Sequence, residues 1–215
     1  MTGLIHESRN ALQRSKACLE MLALEVQDRA DALDLVTRAQ RAQEYLQQLY
    51  EEVREYAAPI KLQREPCNVA EVWRETWGHL AHLLEGTQLK LQEQLELNEC
   101  VCDVDRFAVG QVFRNILENA IAASPPAGQI TISCRETQVH GKRAIGIAFC
   151  DQGPGLTAEQ QKRIFEPFFT TKTKGTGLGM AIAQRIVQSH GGTIRLGRAD
   201  RAGAEIIVVL PRDLA

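Results

Sequence analysis

Helix breakers are nearly missing from the first 58 residues of this chain: only Gly3 of the 16 glycines, and none of the seven prolines, precedes Pro59. No run approaches the roughly 20 apolar residues that a membrane-spanning helix needs. The opening ten residues, MTGLIHESRN, also lack the apolar core of a signal peptide. An excess of positive charge is absent too, with 25 Lys and Arg against 27 Asp and Glu, which argues against a nucleic-acid footprint. The six cysteines, Cys18, Cys67, Cys100, Cys102, Cys134 and Cys150, form no CxxC pair and have no histidine at metal-ligand spacing, so neither a zinc site nor a disulfide framework is indicated. They read as reduced, buried, small hydrophobes of a soluble chain in a reducing cytoplasm. With 215 residues, 44% hydrophobic and 24% charged, the chain has the balance of a folded protein and the length for one large or two modest domains.

The change of composition at Pro59 places a domain boundary there, giving segments 1–58 and 59–215. The first segment is mostly Leu, Ala, Gln, Glu and Arg, which are strong helix formers. Ile5, Leu12, Leu19 and Val26 recur every seven residues, with Leu22 between them. Leu35, Ala39, Ala42, Leu46, Leu49, Val53 and Tyr56 follow at steps of four and three. Both patterns are those of packed helices. The polar stretch 27–31 separates them as a short antiparallel connection, with Asp28 or Asp31 as candidate N-cap. A lone hairpin leaves each helix with one partner and an unfilled apolar stripe, so it is expected to pair as a dimeric four-helix bundle.

Beyond Pro59, strands are expected at 61–64, 88–92, 129–136, 144–151, 192–197 and 205–210, and helices at 69–85, 105–123 and 179–190. Trp73, Trp77, Leu80 and Leu84 share one face of the first of these helices. The fold class is therefore α+β with two domains: a helical hairpin, then an α/β sandwich with one layer of helices.

Three stretches of the second domain carry polar chemistry. Asn115 and Asn119 lie four apart in an otherwise apolar helix, with Gln111 on the same row. Such amides are either a paired structural network or hard oxygen ligands suited to Mg²⁺ bridging phosphates. Asp151-Gln152-Gly153-Pro154-Gly155 ends an apolar strand, as a β-turn or as a carboxylate beside glycines that admit a ligand. Gly175-Thr176-Gly177-Leu178-Gly179 opens directly into a helix, leaving backbone amides free for phosphate.

In this order, and with Phe165-Glu166-Pro167-Phe168-Phe169 between the last two, these stretches resemble the N, G1, F and G2 boxes of the ATP-binding domain of sensor histidine kinases. The closing stretch 203–211 is similar to that family's last strand. His6-Glu7-Ser8-Arg9-Asn10-Ala11-Leu12 resembles its H box, with Ala11 where a proline is usual, so that the kink expected there is softened or moved. The resemblance covers nearly the whole chain. It implies a dimerisation and histidine-phosphotransfer hairpin over 1–58 and a catalytic ATP-binding domain over 59–215.

The resemblance also implies roles for individual residues. Asp151 accepts from the adenine amine, Asn119 holds Mg²⁺, Asn115 orients the phosphates, and the backbone from Gly175 through Thr176, Gly177 and Leu178 to Gly179 receives their far end, with Gly153 and Gly155 giving close approach. The N-box helix lacks the basic residue that many relatives carry after the second Asn, having Ile121-Ala122-Ala123 instead. Lys172 and Lys174 either supply that charge or are simply solvated. Segment 157–176 acts as a flexible lid, with Phe165 and Phe168 either anchoring it on the sheet or serving as plain core. His6 takes the γ-phosphoryl group, Glu7 takes up the imidazole proton, and Asn10 aligns a water for dephosphorylating the regulator. The implied cofactors are ATP and Mg²⁺. The implied partners are a second copy of the chain, the receiver domain of a response regulator, and an upstream sensor domain or protein outside this chain, which itself carries no membrane segment and binds no nucleic acid. The cytoplasmic part of a longer, membrane-associated sensor fits the same pattern.

Two other functions compete. ATPases of the same fold carry a glutamate base where this chain has Asn115, and they lack an H box. An ATP-independent dimeric interaction or phosphotransfer module would not need every glycine box.

Overall fold

A computed structural model of the chain describes residues 2–97, 99–172, 175–197 and 203–212, with side chains from residue 7 onward. It divides into two compact units, Met1–Ala58 and Pro59–Ala215.

The first unit is a helical hairpin of α1 (Thr2–Glu25) and α2 (Ala30–Ala57). α1 continues unbroken through Ala11, because alanine keeps the backbone N–H that proline would remove. The connection is tighter than expected, and neither Asp28 nor Asp31 caps α2. Arg29 holds the N-cap position in extended conformation with no side-chain bond, while Asp31 falls inside the first turn, where it acts on the helix dipole. The seam also differs from the heptad expectation. Val36 and Gln43 are the buried residues of α2, and the Gln43 amide donates to the Leu12 carbonyl at 2.7 Å. Leu35, Leu46 and Val53 face outward with Met21, Leu22 and Leu24 of α1. An apolar stripe is thus left unburied within one copy.

The second unit is a five-stranded sheet with helices against one face. Its strands are β2 (Lys90–Leu95), β4 (Gln129–Val139), β5 (Lys142–Cys150), β6 (Thr193–Leu196) and β7 (Glu205–Pro211). Their spatial order is β2-β4-β5-β7-β6, with β2 and β4 parallel and the other neighbours antiparallel. A separate ribbon pairs β1 (Glu65–Asn68) with β3 (Val101–Val104). The helices are α3 (Val69–His79), α4 (Arg106–Ala123), α5 (Ala158–Arg163) and α6 (Gly179–Ser189).

The core lies between α3, α4 and the sheet. Trp73 of α3 meets Phe113 of α4 edge-on at 6.1 Å, and Phe113 tilts against Phe149 of β5 at 5.3 Å. All three rings are essentially inaccessible. Strand alternation supplies the sheet side of this core: Ile145 and Ile147 of β5, and Val208 and Leu210 of β7, are also fully buried.

Several expected boundaries move. Residues 61–64 are not a strand. Gln63 and Arg64 are bonded to Asp105 and Ser189 instead, and the pairing begins at Glu65. The 69–85 helix ends at His79 and continues as a 3₁₀ turn over Ala81–Leu83. α5 lies outside the expected elements, because the lid segment reads as loop. Four of the six cysteines are buried, but Cys18 is exposed and Cys150 half-buried. Burial pushes the Cys102 thiol up to about 12 and raises Cys134 further, which keeps both in the unreactive thiol form.

Candidate functional site

α4 is the wall on which the chemistry-bearing stretches meet. Asp105 caps it, accepting from the Ala108 amide at 3.0 Å. The core residues Val112, Phe113, Ile116 and Leu117 lock its apolar face. Asn115 and Asn119, one helical turn apart, are thereby placed on a half-buried flank.

Three other stretches contact this helix. Asn115 Nδ2 donates to the Gly179 carbonyl at 2.8 Å, joining the N-box helix to the glycine turn before α6. Asn119 Oδ1 accepts from Lys172 Nζ at 2.6 Å, joining it to the lid. Gly153 approaches the last turn so closely that a Cβ there would lie 2.7 Å from the Ala123 carbonyl oxygen. A side chain at position 153 would therefore push the Asp151 turn off the helix.

The carboxylate of Asp151 is held from behind. It sits at the end of β5, 9% exposed. Its Oδ1 accepts from the Gly153 amide at 2.8 Å and from the Ala204 amide at 3.1 Å. No described residue bonds Oδ2, which is left to accept from a ligand. The sequence carries no signal for the Ala204 contact, because a backbone amide 53 residues away leaves no side-chain pattern.

Residues 175–179 lead into α6 at an N-terminus with no side-chain cap, Leu178 being the N-cap residue. Thr176 Oγ1 accepts from the Leu178 amide at 3.3 Å. Leu178 itself is fully buried and anchors the turn in the core. The first amides of α6 then remain as donors at the positive end of the helix dipole, which is the chemistry of a phosphate cradle. Partial desolvation depresses the Lys172 ammonium, against the pull of the Glu118 carboxylate.

The lid is partly helical. Thr157 and Gln160 form a reciprocal capping box that starts α5, a signal present in the sequence as Thr157-Ala158-Glu159-Gln160. The expected aromatic anchor needs correction. Phe168 is 59% exposed and holds a left-handed backbone, φ 65°. Phe165 and Phe169 are half-buried, and the Arg163 guanidinium lies 4.4 Å above the Phe169 ring. Arg163 is in turn fixed by Glu159 and Glu166.

The site residues expected in the second unit thus converge, with Gly155 on the far side of the Asp151 turn, 3.2 Å from the Gly203 carbonyl by its would-be Cβ. Lys174 lies outside the described residues. In the first unit, position 6 is in α1, one turn before Asn10; the His6 side chain lies outside the described residues, and Glu7 and Asn10 are exposed. Among the described residues no cluster of three or more His, Cys, Asp or Glu could hold a metal. The Asn119 carbonyl oxygen already engages a cation, the Lys172 ammonium, and a hard neutral oxygen of this kind fits Mg²⁺ that takes its remaining ligands from phosphate and water.

A helix-covered mixed sheet with a tied-back carboxylate, paired amides and an open helix N-terminus on one flank defines a nucleotide-binding domain. Residues 104–214 match the family of histidine kinase-, DNA gyrase B- and HSP90-like ATPases. The chain belongs to that family. Among curated relatives, the sensor histidine kinase ZraS of Klebsiella oxytoca is 31% identical over 97% of this chain and 45% of its own length. Among solved structures, full-length ShkA in complex with AMPPNP superposes at TM-score 0.78 with 23% identity, covering 100% of this chain and 46% of that one. The histidine kinase ThkA in complex with the response regulator protein TrrA gives TM-score 0.69 with 20% identity, over 98% and 61%. At these identities the two structures speak to the fold. The chain spans less than half the length of curated relatives such as ZraS and the sporulation kinase C of Bacillus subtilis. No helix among the described residues is long and apolar enough to cross a membrane.

Proposed function

We propose that this chain is the phosphotransfer and catalytic part of a sensor histidine kinase, which autophosphorylates on His6 with ATP and passes the phosphoryl group to an aspartate of a response-regulator receiver domain. The observation that carries the proposal is the convergence on α4 of Asn115, Asn119, Lys172, Gly153 and Gly179, in a chain whose first helix bears the His6-Glu7-Ser8-Arg9-Asn10 sequence.

In this mechanism Asp151 Oδ2 accepts from the exocyclic amine of adenine, and the backbone of 175–179 cradles the phosphates. Asn115 and Lys172 orient them. Asn119 would hold Mg²⁺, which would supply charge neutralisation at the phosphates. An imidazole nitrogen of His6 attacks the γ-phosphorus: the N–P bond forms, the bond to the bridging oxygen breaks, and ADP leaves. Imidazole is a competent nucleophile because it is largely unprotonated near neutral pH, and Glu7 takes the ring proton. Positioning and charge neutralisation supply most of the acceleration. The outward stripe of Met21, Leu22, Leu24, Leu35, Leu46 and Val53 supports pairing of two hairpins, and the ThkA complex supports a regulator as partner. The stimulus enters through a sensor domain or protein outside this chain. Asn10, one turn from His6, is assigned the second activity, orienting water on a regulator aspartyl phosphate.

Incubation with Mg²⁺ and radiolabelled ATP tests the assignment. The expected label is acid-labile and alkali-stable, is lost in His6→Gln with nucleotide affinity retained, and is lost in Asn119→Ala with the fold retained. A label that persists on His6→Gln refutes the phosphoacceptor. Unfolding of Asn119→Ala makes that amide structural.

A further inference from the structure

α4 and α6 are tied to each other at two levels. At one, Asn115 donates to the Gly179 carbonyl. At the other, the Asp105 amide donates to His190 Nε2 at 3.0 Å. The ties are ten residues apart on α4 and eleven on α6, or about 15 and 17 Å by helical rise, so the helices run antiparallel as a ladder with two matched rungs. The first rung belongs to the nucleotide site. The second lies at the opposite end and touches no residue assigned to nucleotide.

The remote rung has no freedom of its own. His190 is 2% exposed, and its Nδ1 donates to the Ile186 carbonyl at 2.8 Å, which leaves Nε2 as the acceptor for Asp105. Two consecutive residues of the segment that follows α2 close it from outside. The Gln63 amide donates to Asp105 Oδ2 at 2.8 Å, on the start of α4. The Arg64 guanidinium donates to the Ser189 carbonyl at 2.8 Å, on the end of α6, where a cation also complements the helix dipole. Only residues 58–62 separate this clip from the end of α2.

We infer that Arg64 and His190 are positioning residues of the nucleotide pocket: the clip at Gln63 and Arg64 holds the remote ends of α4 and α6 in register and thereby sets the spacing of Asn115 and Asn119 against the 175–179 turn at the other end. The helices act as levers because each is buried along its length between the rungs, α4 at Val109, Val112 and Phe113 and α6 at Ala183, Ile186 and Val187. The inference rests on the nucleotide reading of the pocket.

Titration of the full chain with a fluorescent ADP analogue and Mg²⁺, well below the unfolding temperature, tests it. Arg64→Ala is expected to weaken binding about three- to tenfold, the range of one hydrogen bond. Arg64→Lys keeps a donor for the Ser189 carbonyl and is expected to restore binding to within about twofold. His190→Gln, which retains an acceptor but loses the bond to Ile186, is expected to weaken binding as well; if it fails to fold, the Arg64 pair still decides. Unchanged affinity in Arg64→Ala, even with a lower melting temperature, overturns the proposal, as does equal weakening in Arg64→Lys. A parent chain that binds no nucleotide is a different failure, that of the pocket assignment, and is seen before any variant is compared.

Discussion

Replacing Gly177 with alanine isolates what the glycine turn does. Gly177 has φ 72°, and a Cβ there would lie 2.5 Å from the Phe168 carbonyl carbon and 2.7 Å from both the nitrogen and the oxygen of Phe169. These are backbone atoms, so no side-chain rotation relieves the clash. Gly141, in the turn between β4 and β5, has nearly the same φ of 76°, but a Cβ there meets nothing within 4 Å. The two substitutions therefore share the left-handed backbone penalty of about 1–2 kcal/mol and differ only in the steric term. Overpacking of this kind adds about 1–3 kcal/mol, so Gly177→Ala is expected to lose about 2–5 kcal/mol of a domain stability of about 5–15 kcal/mol. Relief requires the 168–169 backbone to shift against the 175–179 turn, which moves the phosphate cradle itself. Denaturant unfolding and titration with a fluorescent ADP analogue read the two consequences. Gly177→Ala should lose affinity about tenfold or more, equivalent to about 1.4 kcal/mol, while Gly141→Ala binds as the parent does. If Gly177→Ala is no less stable than Gly141→Ala and binds nucleotide normally, the close packing of the F box on the glycine turn has no functional weight.

Two further outcomes follow from individual groups. Burial depresses His190 below its ordinary 6.5, with Arg64 adding to the depression and the Ile186 carbonyl, Asp105 and Asp103 opposing it. Its contribution to stability is therefore complete above pH of about 6.5 and is lost as pH falls through the folded value, with a slope of at most about 1.4 kcal/mol per pH unit; urea unfolding of the parent from pH 8 to 5 should show this fall, and His190→Gln should lack it. Asn10→Ala should keep autophosphorylation within a few-fold yet lengthen the lifetime of a regulator's aspartyl phosphate by about a hundredfold, the worth of one orienting hydrogen bond; equal lifetimes with the parent would remove the phosphatase activity and leave the kinase.

Much of this protein is legible before it folds. The scarcity of helix breakers before Pro59 dictates a helical unit, because a run of strong helix formers with no glycine or proline after Gly3 has no competing local structure. The order of the N, G1, F and G2 stretches points to the nucleotide chemistry, because each is a short local requirement: an amide per turn, a carboxylate at a strand end, a glycine before a helix. The capping box at Thr157 was equally local, although the lid around it reads as loop.

What tertiary structure alone decided is everything that depends on distant backbone. Which stripe of α2 faces α1 could not be read from apolar spacing, since Leu35 and Leu46 satisfy the heptad yet point outward, while Gln43 is buried by a bond to a carbonyl 31 residues away. Phe168 carries the pattern of an anchor, but its left-handed backbone turns it to solvent and leaves Phe169 under Arg163. The tie from Ala204 to Asp151 and the clip from Gln63 and Arg64 to the ends of α4 and α6 each join a side chain to a distant backbone amide or carbonyl. Every residue but proline carries both of those groups, so no residue type announces such contacts and only the folded chain selects which of them meet.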